Sequence, residues 1–138
     1  MKIPSSERSL DRIVNYINKT PLIKSDRLSS KNQNVFLKLE NFQKTGSFKV
    51  RGALNKVYST YFNSEIVAAS SGNHGAAVSY ALQTKKIKGR IYVPKSAKES
   101  KVKKIESYGS KVIRFGDDCL DAEYEAIKYS KINNCQFI

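Results

Sequence analysis

The stretch LENFQKTGSFKVRGA, residues 39–53, decides how the first part of this chain folds and contains its most reactive candidate residue. Apolar side chains alternate over residues 35–39 and predict a strand that leads into a polar turn. A helix pattern begins near Ser47, so Lys49 falls in the first helical turn. The positive end of the helix dipole disfavours an ammonium there. A lysine that loses its charge easily can act as a nucleophile, and we therefore take Lys49 as the candidate chemical centre, with a solvated helix lysine as the alternative.

Composition favours one soluble globular domain. The chain has 138 residues, of which 40% are hydrophobic and 27% charged, enough to form a buried core. No apolar run approaches the length of a membrane span, and the first residues lack the apolar region of a signal peptide. The two cysteines, Cys119 and Cys135, lack the spacing of a metal site, so we read them as reduced thiols. We therefore expect a cytoplasmic protein with no membrane partner.

The net charge of +13 raises the possibility of a nucleic-acid partner. The 25 basic residues are, however, spread along the chain rather than clustered with aromatic residues. They fall mostly on the outer faces of predicted helices, and no motif of a known nucleic-acid module occurs. We therefore expect no nucleic-acid partner, and a basic nucleic-acid binder stays an alternative that salt-dependent binding would identify.

A regular alternation of strands and helices predicts an α/β fold. An amphipathic helix over about residues 6–17 and a short edge strand at 21–23 precede the 39–53 stretch. Apolar strand patterns then occur at residues 66–69, 89–93, 112–115 and 136–138. Helix patterns separate them at about 74–83, 97–108 and 120–132, and Gly109 is placed to cap the second of these. The pattern predicts an open twisted parallel sheet of about four strands with flanking helices and right-handed crossovers.

We place the domain boundary near residues 61–65, which divides the chain into segments 1–63 and 64–138. The helix after Gly46 carries Val50, Leu54, Val57 and Tyr58 on one face. We expect this face to be exposed, because only part of a domain is present to cover it. The last strand pattern likewise lacks a covering helix, so we expect another element to pack on it.

A second turn follows the strand at residues 66–69. It contains, in order, Ser70, Ser71, Gly72, Asn73 and His74. Ligands of open α/β sheets bind at the carboxyl ends of the strands. The helix that follows offers free N–H groups to a small anion such as an amino-acid carboxylate. Ordinary helix capping by the serines and asparagine, and a structural histidine, are the alternatives.

The two turns together resemble a family. The motif LENFQKTGSFKVRGA followed by SSGNHGAAVSYA is similar to the fold-type II pyridoxal-phosphate enzymes of the serine/threonine dehydratase and serine racemase group. The resemblance runs from KTPL at Lys19 to the final strand. It implies that residues 64–138 form the small domain of a tryptophan-synthase-β-like fold and that residues 1–63 form the N-terminal part of the large domain.

The resemblance also implies roles for site residues. Lys49 would form the Schiff base with pyridoxal 5′-phosphate and remove the α-proton, Phe48 would pack beside the cofactor, and Asn73 would bond its ring hydroxyl. The loop Ser70, Ser71, Gly72, Asn73 and His74 would hold the substrate carboxylate. Ser71 would be the acid/base on the opposite face. Many threonine dehydratases carry alanine there, whereas serine racemases and hydroxyaspartate dehydratases carry serine.

The chain departs from the family in length. Family members continue for about as long again, and that second half supplies the glycine-rich phosphate loop, the partner of the pyridine nitrogen and the divalent-cation ligands. We therefore expect no metal site here, an apparently truncated chain, and a homodimer or association with a missing C-terminal half. Residues that partly echo the racemase nucleotide site are Lys44, Thr45, Lys101 and Tyr108.

The predicted function is elimination of water and ammonia from a hydroxy amino acid, or its racemisation. The residues do not choose between these two reactions. A sulfhydrylase-like β-replacement enzyme on the same scaffold is an alternative, although the motifs SxKDR and TSGNT of that group are absent from the sequence. A non-catalytic fragment that binds a partner of the same family is a further alternative.

Overall fold

The computed structural model describes residues 5–59 and 65–138, which form an α/β structure with two separate sheets. The α-helices are α1 (Ser6–Ile13), α2 (Lys49–Ser59), α3 (Asn73–Lys85), α4 (Glu99–Glu106) and α5 (Cys119–Ile132). The strands are β1 (Leu22–Lys24), β2 (Phe36–Lys38), β3 (Ile66–Ala69), β4 (Gly89–Val93), β5 (Lys111–Arg114) and β6 (Gln136–Phe137). Short 3-10 helices occupy Val14–Tyr16 and Glu40–Phe42.

The larger sheet confirms the predicted fold class. Its four strands are parallel in the order β5-β4-β3-β6, with Ile66 opposite Gly89 on one side and Gln136 on the other. Each strand is followed along the chain by a helix of at least eight residues until β6 is reached. The smaller sheet pairs β1 with β2 antiparallel. Parallel strands need crossover connections, which explains the regular spacing seen in the sequence.

Local capping chemistry sets where the helices begin and end. The Asp118 side chain accepts hydrogen bonds from the N–H groups of Leu120 and Asp121 at the start of α5. Gly109, two residues beyond the capped end of α4, has a φ of +86° and confirms its expected place after this helix. Helix α4 begins at Glu99 rather than 97, because the Ala97 N–H bonds to the Pro94 carbonyl in a turn.

The two faces of the larger sheet are covered differently. Helix α5 covers one face and buries Ala122 and Ala126 against Val67 and Tyr92. Buried side chains of α2, α3 and α4 join the other face in a single apolar cluster, in which α2 packs on α3. Burial of this cluster removes its apolar surface from water and positions α2 against the strand-bearing half of the chain.

One expectation about α2 is wrong. Val50, Leu54 and Val57 were expected to be exposed, but each is completely buried. Tyr58 is half-buried, and its ring lies 4.7 Å from that of Tyr16. The cause is the alanine-rich surface of α3, whose small side chains let α2 approach and cover its own apolar face.

The expected boundary at residues 61–65 falls almost wholly on residues 60–64, which lie outside the described part of the chain, so the division into 1–63 and 64–138 stays a prediction. Large apolar side chains are exposed at several places, among them the smaller sheet and helix α5. Leu22 is 63% exposed and Phe36 is 57% exposed, and Ile23 and Leu37 are also exposed. Within the described residues, no helix is both long and apolar enough to cross a membrane.

Candidate active site

A tight turn delivers the chain into α2. The Gly46 N–H donates to the Gln43 carbonyl over 2.8 Å, and Gly46 has a φ of +77°, which glycine adopts without steric cost. The Gln43 side chain is buried and is paired with the Asn18 backbone through both its oxygen and its nitrogen. Thr45 beyond it is only 1% exposed. The turn is therefore a fixed part of the structure and determines where Lys49, three residues later, enters the helix.

An ion pair fixes the first turns of α2 from outside. Arg51 donates two hydrogen bonds of 2.8 Å to the Glu40 carboxylate, which also accepts a 2.6 Å bond from the Thr20 hydroxyl. The bonds from Arg51, followed by the one from Thr20, lower the pKa of Glu40 from 4.5 to about 2 against the opposing effect of burial. The sequence analysis missed this pair, because nothing in a spacing of eleven residues predicts a contact.

Lys49 is the first residue of α2, as predicted, and its side chain is exposed. Its amine lies 5.3 Å from the centroid of the Phe48 ring, and that ring is 59% exposed. Both side chains face a cavity of about 350 Å³ whose lining is mostly apolar. The cavity is completed by further residues of α2, by the start of α3 and by the last residue of the chain: Gly52, Ala53, Lys56, His74 and Ile138.

The second predicted turn lies at the carboxyl end of β3. The Ser70 N–H extends the sheet by bonding to the Tyr92 carbonyl, and the Ser70 hydroxyl accepts from the Gly72 N–H over 3.1 Å. Gly72 precedes α3 without a side-chain cap, so the first helical turn still has N–H groups to offer. A Cβ on Gly75 would lie 2.1 Å from the Ser70 carbonyl oxygen, so the turn can pack this tightly only with glycine.

The structure distributes the predicted site residues over two neighbouring cavities. His74 shares the first cavity with Lys49 and Phe48. Ser71, Gly72 and Asn73 line a second, more polar cavity of about 470 Å³, together with Ala76 and with three residues of α4: Ser100, Lys101 and Lys104. Ser70 lines neither cavity. The cavities meet at the start of α3, because Asn73 and His74 are consecutive.

The chemistry of the first cavity suits a flat, aromatic, aldehyde-bearing cofactor. Its volume falls within the range of small-ligand sites, it exposes an aromatic ring, and two lysines, Lys49 and Lys56, line it. The uncapped start of α3 can accept an anionic group beside it. No cluster of three or more His, Cys, Asp or Glu side chains that could hold a metal ion occurs in residues 5–59 and 65–138.

Comparison with known proteins identifies the family of this chain. The family model described as "Pyridoxal-phosphate dependent enzyme" matches residues 13–138. This chain belongs to the pyridoxal-phosphate-dependent enzyme family. The match contains Lys49 and the whole of the residues 70–74 loop.

Relatives within the family share a large part of this chain. It is 43% identical over 115 residues to a serine racemase of Arabidopsis thaliana, which covers 80% of this chain and 35% of the relative. It is 46% identical over 106 residues to a catabolic L-threonine dehydratase of Staphylococcus aureus, and that alignment covers 73% of this chain and 31% of the relative. The structure of maize serine racemase superimposes with a TM-score of 0.86 at 31% identity, over 96% of this chain and 41% of that one.

The matched region is about a third of each curated relative. Both a racemase and a dehydratase are similar to this chain at nearly equal identity. The comparisons therefore support the cofactor class and the fold. Like the sequence motifs, they do not distinguish racemisation from elimination. The superposition over 96% of this chain shows that its fold matches that part of maize serine racemase.

Proposed function

We propose that this chain serves a pyridoxal-phosphate-dependent ammonia-lyase or racemase that acts on a hydroxy amino acid. The observation that carries the proposal is the cavity of about 350 Å³ in which Lys49, Phe48 and His74 meet. Family membership over residues 13–138 supplies the cofactor class. Racemase and dehydratase relatives supply the two candidate reactions.

The cofactor's place follows from the lining of this cavity. Lys49 would hold pyridoxal 5′-phosphate through its amine, and Phe48 would cover one side of the ring. Asn73 lines the neighbouring cavity and would donate to the ring hydroxyl from there. When bound, pyridoxal phosphate supplies an electron sink that stabilises negative charge at the α-carbon of an amino acid. The lining is mostly apolar, which would strengthen electrostatic interactions within the cavity once a bound cofactor displaces water.

The residues 70–74 loop would bind the substrate. The Ser70 and Ser71 hydroxyls, the Gly72 and Asn73 backbone and His74 surround the uncapped start of α3, where a carboxylate is stabilised by N–H groups and the helix dipole. Lys49 would remove the α-proton from one side. The half-buried Ser71 hydroxyl would return a proton from the other side in racemisation, and loss of the β-hydroxyl would instead give elimination.

Labelling of the 138-residue protein tests the site without requiring turnover. Pyridoxal 5′-phosphate is added at limiting concentration, the adduct is reduced with borohydride, and labelled lysines are identified by peptide mass spectrometry. We expect Lys49 to be labelled ahead of the other lysines. Lys56→Arg is the matched control, since Lys56 lies on the same helix and lines the same cavity. It should leave the Lys49 label unchanged, while Lys49→Arg removes it. Equal labelling of all exposed lysines would contradict the proposal.

We also propose that the smaller sheet associates with another polypeptide. Leu22 and Phe36 lie on one face of this sheet, Ile23 and Leu37 lie on the other, and all four are exposed. Because removal of exposed apolar surface from water favours association, we take these faces as the interaction surface. The occupant would be a second copy of the chain or a polypeptide that supplies the rest of the family fold. Activity towards amino acids would then be expected only in the assembled protein.

A further inference from the structure

Helix α4 contacts the turn that precedes Lys49. The Lys104 amine donates to the Thr45 carbonyl over 2.9 Å. Two residues beyond the end of α4, the Tyr108 hydroxyl reaches the Lys44 carbonyl at 3.4 Å. Lys104 near the end of α4 and Tyr108 in the turn that follows therefore both bond to the turn before Lys49, across a sequence separation of about sixty residues.

The Lys104 contact falls on the tightest part of the turn. A Cβ built on Gly46 would lie 3.6 Å from the Lys104 amine, so the amine rests directly against the glycine. Gly46 itself holds the left-handed conformation that closes the turn onto Gln43. The Thr45 side chain is buried. The contact from α4 to Thr45 is therefore made through the Thr45 backbone carbonyl, which accepts the bond from Lys104.

Lys104 also lines the second cavity with Ser71 and Asn73. One side chain thus touches both parts of the candidate site: the turn that leads to Lys49 and the cavity of the residues 70–74 loop. The sequence analysis did not single out Lys104. In the sequence it is one of several lysines of an amphipathic helix, and only the fold shows that it reaches back to residue 45.

We infer that Lys104 is a positioning residue, which holds the Lys44, Thr45 and Gly46 turn against α4 and thereby sets the place of Lys49 relative to Ser71 and Asn73. The inference rests on the proposed function for its chemical meaning, because the relevant geometry is that of the cofactor lysine. Its structural part, the dependence of the turn on Lys104, stands independently of any cofactor.

Hydrogen exchange at the Gly46 amide tests the structural part. This N–H is bonded to the Gln43 carbonyl and exchanges when the turn opens. In Lys104→Met we expect exchange roughly tenfold faster, the effect of losing one hydrogen bond from a charged group. The amides of β3 and β4 should exchange as in the wild type. Lys103→Met is the matched control, since it removes the same charge from an exposed neighbour on the same helix and should leave Gly46 unchanged.

Labelling of Lys49 by pyridoxal phosphate and borohydride tests the consequence for the site. We expect K104M to reduce the rate of labelling several-fold, and K104R, which keeps a charged donor of similar reach, to restore most of it. Normal Gly46 exchange and normal labelling in K104M would overturn the inference, as would an equal defect in K103M. Absence of Lys49 labelling in the wild-type protein would instead contradict the proposed function, while faster Gly46 exchange in K104M would still support the role of Lys104 in the turn.

Discussion

Replacing Glu40 by glutamine should destabilise the protein at neutral pH by an amount that the structure allows to be worked out. Glutamine keeps the shape of the side chain and an acceptor for the Thr20 hydroxyl, but it removes the charge that faces Arg51. A tenfold change in proton affinity corresponds to about 1.4 kcal/mol. The lowering of the Glu40 pKa from 4.5 to about 2 therefore sets an upper limit of roughly 3.5 kcal/mol.

Partial exposure reduces this limit. The Glu40 side chain is 19% exposed and that of Arg51 is 32% exposed, so solvent screens part of the attraction. We expect a loss of about 2 kcal/mol at pH 7, within the range for hydrogen bonds to charged groups. Urea unfolding of wild type and Glu40→Gln measures it, and Arg51→Met alone and in the double variant completes a double-mutant cycle.

The effect should depend on pH with a definite sign. The pKa of Glu40 is lower in the folded protein than in the unfolded chain, so the stabilisation is complete above about pH 4.5 and is lost as the pH falls towards 2. The difference between wild type and Glu40→Gln should therefore shrink across this range. Equal stabilities at pH 7, or a difference that persists unchanged near pH 2, would refute the assigned cause.

Three further predictions concern packing and association. Gly75→Ala should lower the free energy of unfolding by about 3 kcal/mol, because the new Cβ would strike the Ser70 carbonyl oxygen. Gly52→Ala on α2, where a Cβ meets nothing within 4 Å, is the control and should be neutral or stabilising by up to about 1 kcal/mol. Equal effects of the two substitutions in urea unfolding would contradict both assignments. Leu54→Ala should cost about 3 kcal/mol, since Leu54 is completely buried between α2 and α3; a cost below about 1 kcal/mol would mean that α2 is not packed as described. If the smaller sheet binds a second copy of the chain, Phe36→Ser should lower the sedimentation-average mass of the protein at moderate salt, where the net charge is screened. A wild-type protein that stays monomeric at high concentration would rule out self-association through this sheet.

Much of the fold could be predicted because its signals are local. Short apolar strands bounded by turns, and helices with apolar residues in phase, placed β3 to β6 and α3 to α5 within about two residues. The parallel sheet followed from that alternation. Lys49 at the start of α2 was likewise a local prediction, since the polar turn and Gly46 mark where the helix can begin.

The remainder depended on contacts between distant segments. Val50, Leu54 and Val57 were predicted to be exposed, because no sequence pattern shows that α2 would pack on α3. The pairing of Glu40 with Arg51, and of Lys104 with the Thr45 carbonyl, is set by the same tertiary arrangement. For the site, the predicted residues lie at the two turns where the sequence places them, and their roles stay predictions. Their distribution over two cavities is a property of helix placement.

The packing of α2 on α3 has a consequence for how this protein can change over time. Ala76, Ala77 and Ala81 belong to the same buried cluster as the apolar face of α2. Helix α2 begins at Lys49 and packs on α3, so side-chain volume on α3 bears on the position of the helix that carries the amine. We expect an added methyl group at one of these alanines to shift Lys49 as well as strain the core. Side chains larger than alanine at these positions of α3 should therefore be disfavoured for two reasons: they strain the core, and they move the Lys49 amine away from its place in the cavity. The second reason would apply even where the protein remained stable.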